Sequence, residues 1–219
     1  MGQFKTLTAA DGHTFKAYAA EKPGNTLAIV VVQEAFGVNQ HIRDVCDRFA
    51  EQGINAIAPA LFDRVERDVE SAYNQEGIAR YYEIRKTLTK AQVLTDVQAA
   101  ADAIHATGIV GYCFGGTVTW WAATETTRFK AASAWYGGGI YEDREATPHC
   151  PVQMHFGEKD AHIPLDQVDA IRQRHPEVPV YVHANADHGF GCDARPSFNA
   201  QAYAEAQAST LSFLRQHLG

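Results

Sequence analysis

Apolar positions along this chain fall into short unbroken runs, separated by stretches with a helical beat. Runs at Thr14 to Ala19, Leu27 to Val32, Ala56 to Ala58, Ile109 to Tyr112, Ala131 to Tyr136, Val152 to Phe156 and Val180 to His183 read as strands. Most are continuously apolar, the mark of strands covered on both faces. The first two alternate more and, with Phe4 to Thr8, predict an antiparallel edge. Ile42, Val45, Cys46 and Phe49 follow the spacing of one helix face, and Gly53 can close that helix in the left-handed conformation. Leu94, Val97, Ala101 and Ile104 mark a second helix, ended by Gly108, and Ala202, Ala206, Thr210, Phe213 and Leu214 define a C-terminal one.

Strand and helix alternating in this way predict an α/β fold, a mostly parallel central sheet flanked by helices, because right-handed crossovers place helices on both faces. A length of 219 residues fits a single domain over residues 1–219. Open sheets of this kind bind ligands beyond the carboxyl ends of their strands. Residues 61–91 carry no strand pattern, are rich in charge and hold Tyr73, Tyr81 and Tyr82. They predict a helical excursion that walls a pocket.

Composition removes several function classes. With 46% apolar and 21% charged residues the chain can form a core without staples. Its net charge of -7 is spread out, with no Lys or Arg run to track phosphates, which argues against a nucleic-acid partner. The longest apolar stretch, Leu27 to Val32, is far too short for a bilayer, and Met1 to Lys5 lacks an apolar signal core. The expectation is a soluble, cytoplasmic protein with no membrane partner, as a monomer or small homo-oligomer. Cys46, Cys113, Cys150 and Cys192 then read as reduced thiols. No H-E-x-x-H and no paired C-x-x-C occurs, and His149 with Cys150 is too sparse a pair, so no metal and no organic cofactor is expected.

The sharpest chemical signal is Gly111-Tyr112-Cys113-Phe114-Gly115-Gly116, between an apolar strand and a helix that begins near Gly115. A nucleophile on such a turn needs strained backbone angles, and glycines two residues to either side remove side chains that would clash. The turn lifts the sulfur above the sheet and directs the Phe114 amide and the helix N-terminus at the same point. Phosphate-binding turns fit less well. Thr117 and Val118 follow Gly116 where a P-loop needs Lys then Ser or Thr, and Cys113 occupies the second Gly position of the dinucleotide fingerprint. The bland alternative is a small buried Cys under a helix.

A nucleophile elbow predicts the α/β-hydrolase fold, whose chain order is nucleophile, acid, histidine. His188 follows the run Val180 to His183 and Asp160 follows Val152 to Phe156, both beyond strand ends on the rim of Cys113. Glu158, Asp166 and Asp187 compete with Asp160 as the acid that orients His188. The turn Gln33-Glu34-Ala35-Phe36-Gly37 follows another strand; in this fold that loop gives the second oxyanion amide, here Ala35. A carboxylate directly after a buried strand, Glu34, needs a partner unless it is solvated.

These residues resemble the dienelactone hydrolases, cysteine-dependent α/β-hydrolases, over nearly the whole chain. The marks are Gln33 to Gly37, Gly111 to Gly116, Gly157 to Asp160, and His188-Gly189-Phe190. The resemblance implies hydrolysis of an enol lactone, dienelactone, to maleylacetate in the breakdown of chlorinated aromatics, through a Cys113, His188 and Asp160 triad. It also implies that Glu34 keeps the thiol protonated at rest and takes its proton when substrate binds. The family's substrate-binding Arg four residues after the His is replaced by Cys192. Arg80 matches a second family Arg, Arg195 is a substitute for the missing one, and Tyr82 and Trp135 are further substrate-contact candidates. Two rivals stand beside this reading: a general small-acyl esterase or thioesterase, and a non-catalytic domain that binds a small acid.

Overall fold

The computed structural model describes residues 1–219. Its elements are β1 (Gln3–Thr8), β2 (Thr14–Ala20), β3 (Leu27–Val32), α1 (Gln40–Glu51), β4 (Ile54–Pro59), α2 (Gln75–Arg85), α3 (Lys90–Ala103), β5 (Gly108–Tyr112), α4 (Phe114–Glu125), β6 (Ala131–Trp135), β7 (Val152–Gly157), α5 (Leu165–Arg174), β8 (Val180–His183) and α6 (Ala200–Leu218). The strands form one sheet in the order β1-β2-β4-β3-β5-β6-β7-β8. With its helical flanks this is the α/β-hydrolase fold. The chain divides into two compact units, Met1–Ile109 and Val110–Gly219, and β5 crosses the boundary. No helix is long and apolar enough to cross a membrane.

In the first unit β1 pairs antiparallel with β2, and β2 with β4, whereas β3 runs parallel to β4. The antiparallel edge expected from the sequence therefore contains β1 and β2 but not Leu27 to Val32. Ala28 to Val32 are all buried, so β3 has no polar face to offer solvent at an edge. Helix α1 starts at Asn39, whose side chain accepts from Ile42 N at 3.3 Å. Gly53 follows it at φ +91, the left-handed closure its sequence position called for.

Helix α3 opens with a capping box between Thr89 and Gln92. It stops earlier than the sequence suggested: His105 takes the left-handed turn at φ 53, and Gly108 begins β5 instead of ending the helix. A polar anchor joins α3 to a 3-10 turn at Leu61–Arg64, where Arg64 donates from Nε and Nη2 to the buried Asp96 carboxylate, both at 2.7 Å. Residues 61–91 also hold α2. A cavity of about 380 Å³ beside that helix is lined by Ser71, Asn74, Gly77, Arg80 and Glu83 among others.

In the second unit β6, β7 and β8 run parallel, and α4 and α6 pack on β6. The core there includes Tyr112, Trp120, Trp135, Phe156 and Phe190, all fully or almost fully buried. Strand β6 ends at Trp135, one residue before its apolar run does, because Tyr136 turns to φ 37. Helix α5 was not expected; Pro164 at its N-cap and Asp166 in its first turn were the available signals.

Candidate functional site

The chain reverses sharply where β5 meets α4. Cys113 sits there as the helix N-cap at φ 56, ψ -115, a region that a residue with a side chain occupies only at a cost of about 1–3 kcal/mol. Three features hold it. Its amide donates to Trp135 O at 3.0 Å, and its carbonyl accepts from Gly116 N at 2.9 Å and Thr117 N at 3.3 Å. A Cβ on Gly111 would overlap the Gly115 carbonyl, and one on Gly116 would overlap the Trp135 carbonyl. The glycines are thus needed for the close approach of neighbouring backbones. Cys113 itself is only half-buried, and Phe114 opens α4 with its first-turn amide pointing out of the helix end.

Two loops bring partners to the sulfur. His188 Nε2 lies 3.2 Å from Cys113 Sγ, and His188 Nδ1 lies 2.7 Å from Asp160 Oδ2. The other oxygen of Asp160 accepts from His162 N at 2.9 Å and Ile163 N at 3.2 Å. This fully buried carboxylate is thereby fixed, and it in turn fixes the imidazole tautomer. The rival acids are engaged elsewhere. Asp187 Oδ1 accepts from His188 N at 2.6 Å, Glu158 Oε2 from Asn185 N at 2.8 Å, and Asp166 Oδ1 from Gln167 N at 2.9 Å.

Electrostatics sharpen the arrangement. Burial disfavours an imidazolium at His188, but negative charge on Cys113, hydrogen bonds to Asp160 and Cys113, and the Asp160 charge outweigh it and push His188 up to about 10. Burial prevails at two thiols away from the site. It pushes Cys150 up to about 11 and raises Cys46 still further, which keeps both as neutral thiols.

The remaining candidates divide. Arg195 lies against the backbone of Gly189, so its guanidinium is beside the loop of His188. Trp135 does not line the site. Its ring is fully buried, donates from Nε1 to Thr210 Oγ1 at 3.2 Å and stacks on Phe190 at 5.6 Å, which makes it a core residue. The left-handed turn at the next residue sends Tyr136 toward the site instead, with its ring edge-on to His188 at 5.2 Å. Sequence reasoning also passed over His162, whose exposed ring meets His188 edge-on at 5.4 Å.

In the first unit Glu34 and Ala35 are both buried, directly after β3. Arg80 is half-exposed and forms an ion pair with Glu66. Tyr82 is 61% exposed and touches Tyr81.

Comparison with known proteins agrees with this geometry. The model of the dienelactone hydrolase family matches residues 15–218. A Synechocystis sp. protein, named as a candidate carboxymethylenebutenolidase, is 34% identical over 205 residues, covering 84% of this chain and 83% of its own. The crystal structure of a candidate dienelactone hydrolase from Klebsiella pneumoniae superposes with a TM-score of 0.82 at 31% identity, covering 98% of this chain and 99% of the other. A dienelactone hydrolase-like promiscuous phosphotriesterase from metagenomic libraries, at 21% identity and a TM-score of 0.76 over 100% of this chain and 99% of its own, shows the fold alone.

Proposed function

Because the chain belongs to the dienelactone hydrolase family, and is with it a carboxylic ester hydrolase, we propose that it cleaves small esters and enol lactones with good leaving groups, using Cys113 as nucleophile. The observation that carries this reading is one imidazole touching both a fixed carboxylate and a partly exposed sulfur, at 2.7 and 3.2 Å.

The sulfur adds to the substrate carbonyl while the Phe114 amide and the α4 N-terminus stabilise the oxyanion; removing one such donor costs about 3 kcal/mol in the barrier. The C–O bond then breaks, the leaving oxygen takes the proton from His188, and an acyl thioester remains. Acylation removes the negative charge from sulfur, and with it a main cause of the raised His188 value. His188 is then a neutral base that draws a proton from water. The hydroxide equivalent cleaves the thioester, and the acid and free thiol are released.

Enol and aryl oxygens suit this sequence because they leave as stabilised anions; alkyl esters and amides should be slow. Dienelactone, yielding maleylacetate, is one member of this substrate class. Arg80 is already paired with Glu66, and Cys192 stands where a substrate-binding Arg was expected, both of which favour the broader small-acyl esterase. Arg195, beside the His188 loop, is the cation we assign to a substrate carboxylate.

Rates on cis- and trans-dienelactone beside a neutral aryl ester test the proposal. Acylation of Cys113 in a burst, detected by mass spectrometry, is the expected result. Turnover of the aryl ester by Cys113→Ala at the wild-type rate would remove the nucleophile.

A further inference from the structure

Behind the catalytic loops lies a second, buried pair of imidazoles. His155 on β7 is fully buried, and His183 at the end of β8 is 7% exposed. His155 Nδ1 is 3.1 Å from His183 Nε2. On the far sides, His155 Nε2 lies 3.4 Å from Thr210 Oγ1, and His183 Nδ1 faces Glu205 Oε2 at 3.6 Å.

The neighbours fix the proton positions. Thr210 Oγ1 accepts from Trp135 Nε1 at 3.2 Å and from Gln153 Nε2 at 3.1 Å, which fills both lone pairs of a hydroxyl. Thr210 can then only donate, to Ser133 Oγ at 3.0 Å or to His155 Nε2, so His155 Nε2 meets no acceptor and carries no hydrogen. The His155 proton sits on Nδ1 and is donated to His183 Nε2. His183 carries its own proton on Nδ1, toward Glu205. A further proton on His183 Nε2 would set N–H against N–H across the 3.1 Å gap and break the link.

This link supports both catalytic loops. The His183 carbonyl accepts from Glu158 N at 3.0 Å, ahead of Asp160, and from Ala186 N at 3.3 Å, ahead of His188. Its ring packs on Phe190 at 5.0 Å, Phe190 meets Tyr136 edge-on at 5.3 Å, and Tyr136 in turn meets His188. We propose that His155 and His183 are positioning residues for His188 and Asp160, effective only while both rings are neutral, so that catalysis carries an acid limb of its own from this pair. The activity part of this inference rests on the function proposed above.

The titratable and charged groups around the pair are few. Tyr181 of β8 stacks on His155 at 5.0 Å, Glu205 of α6 faces His183, and Glu158 accepts from Asn185 in the same loop. Burial lowers both rings, and the mutual repulsion of the two charges adds to it at His155. Glu205 works against this at His183 without reversing it, so both rings hold their neutral form more firmly than a free imidazole does.

Two variants and one spectrum decide the matter. His183→Leu removes the acceptor for His155, and kcat at pH 8 should fall about ten-fold with KM within about two-fold, the signature of misplaced catalytic groups. His183→Gln should rescue kcat at that pH, since its amide oxygen accepts the same bond. Being unable to take up a proton, it should also lose one proton from the acid limb of the kcat/KM profile. An unchanged acid limb in folded His183→Gln, or no rescue, overturns the proposal.

Imidazole ¹⁵N spectra of the wild-type enzyme test the proton assignment without activity, expecting Nδ1–H on both rings at pH 8. An Nε2–H form of His155 sinks it. Should Cys113→Ala keep full turnover, the catalytic reading fails while the ring assignment still stands or falls on that spectrum.

Discussion

Two buried imidazole sites in the second unit carry opposite charge preferences. His188 is pushed up to about 10, whereas His155 and His183 are both held below their ordinary value. Burial opposes the charged form at all three, so burial cannot explain the difference. What differs is the partner. His188 lies between a buried carboxylate at 2.7 Å and a sulfur that can carry negative charge, while His155 has another imidazole on one side and a saturated hydroxyl on the other. His183 has only the exposed Glu205 at 3.6 Å, too weak a partner to offset burial. Identical side chains become a proton donor in one place and a neutral strut in the other.

The comparison is broken most forcefully at the sulfur. Cys113→Ala should lower kcat on the order of 10⁶-fold, as loss of a triad nucleophile does elsewhere. NMR titration of the same variant should show His188 well below about 10, because the leading contribution raising it has gone. A value that stayed there would mean that sulfur charge is not its cause. Asp160→Asn comes next. It frees the imidazole to take the wrong tautomer, and kcat should drop about 10⁴-fold with the fold intact by circular dichroism.

Thr210→Val attacks the neutral site. It leaves the indole N–H of Trp135 and one Gln153 N–H without their acceptor, so urea unfolding should show a loss of about 1–3 kcal/mol, with the His188 titration unchanged. The gentlest test compares stability against pH. A raised folded value means that the His188 contribution is complete below about 6.5 and is lost as pH climbs through about 10, so the wild type should lose stability relative to His188→Gln over that window. The neutral pair has the reverse sign. Below about 6.5 the unfolded chain binds protons that the folded pair refuses, so His183→Gln should lose less stability than wild type on acidification.

How far the sequence revealed all this depended on the range of each contact. The elbow was legible because its glycines lie within three residues of Cys113: Gly111, two before it, answers a clash with the Gly115 carbonyl, and Gly116, three after it, one with the Trp135 carbonyl. Chain order placed His188 and Asp160, since each follows an apolar run that became β8 or β7. Trp135 and Tyr136 were confused for the opposite reason. Alternation along β6 says nothing of the left-handed turn after it, and that turn decides which ring faces His188. Likewise the pairing of His155 with His183 depends on the parallel register of β7 and β8, which sets Gly157 against His183 and which no short-range pattern encodes. Arg80 could be matched by position, but its Glu66 partner emerged only in three dimensions.

The backbone angles at Cys113 also set which mutations evolution can try there. A φ of 56 admits an unbranched side chain and strains a β-branched one, so threonine is shut out on steric grounds while serine is not. One nucleotide change separates a cysteine codon from a serine codon, and the surrounding imidazole and carboxylate are the ones an alkoxide would need. Lineages with this bend can therefore trade sulfur for oxygen chemistry in a single step, without rebuilding the scaffold.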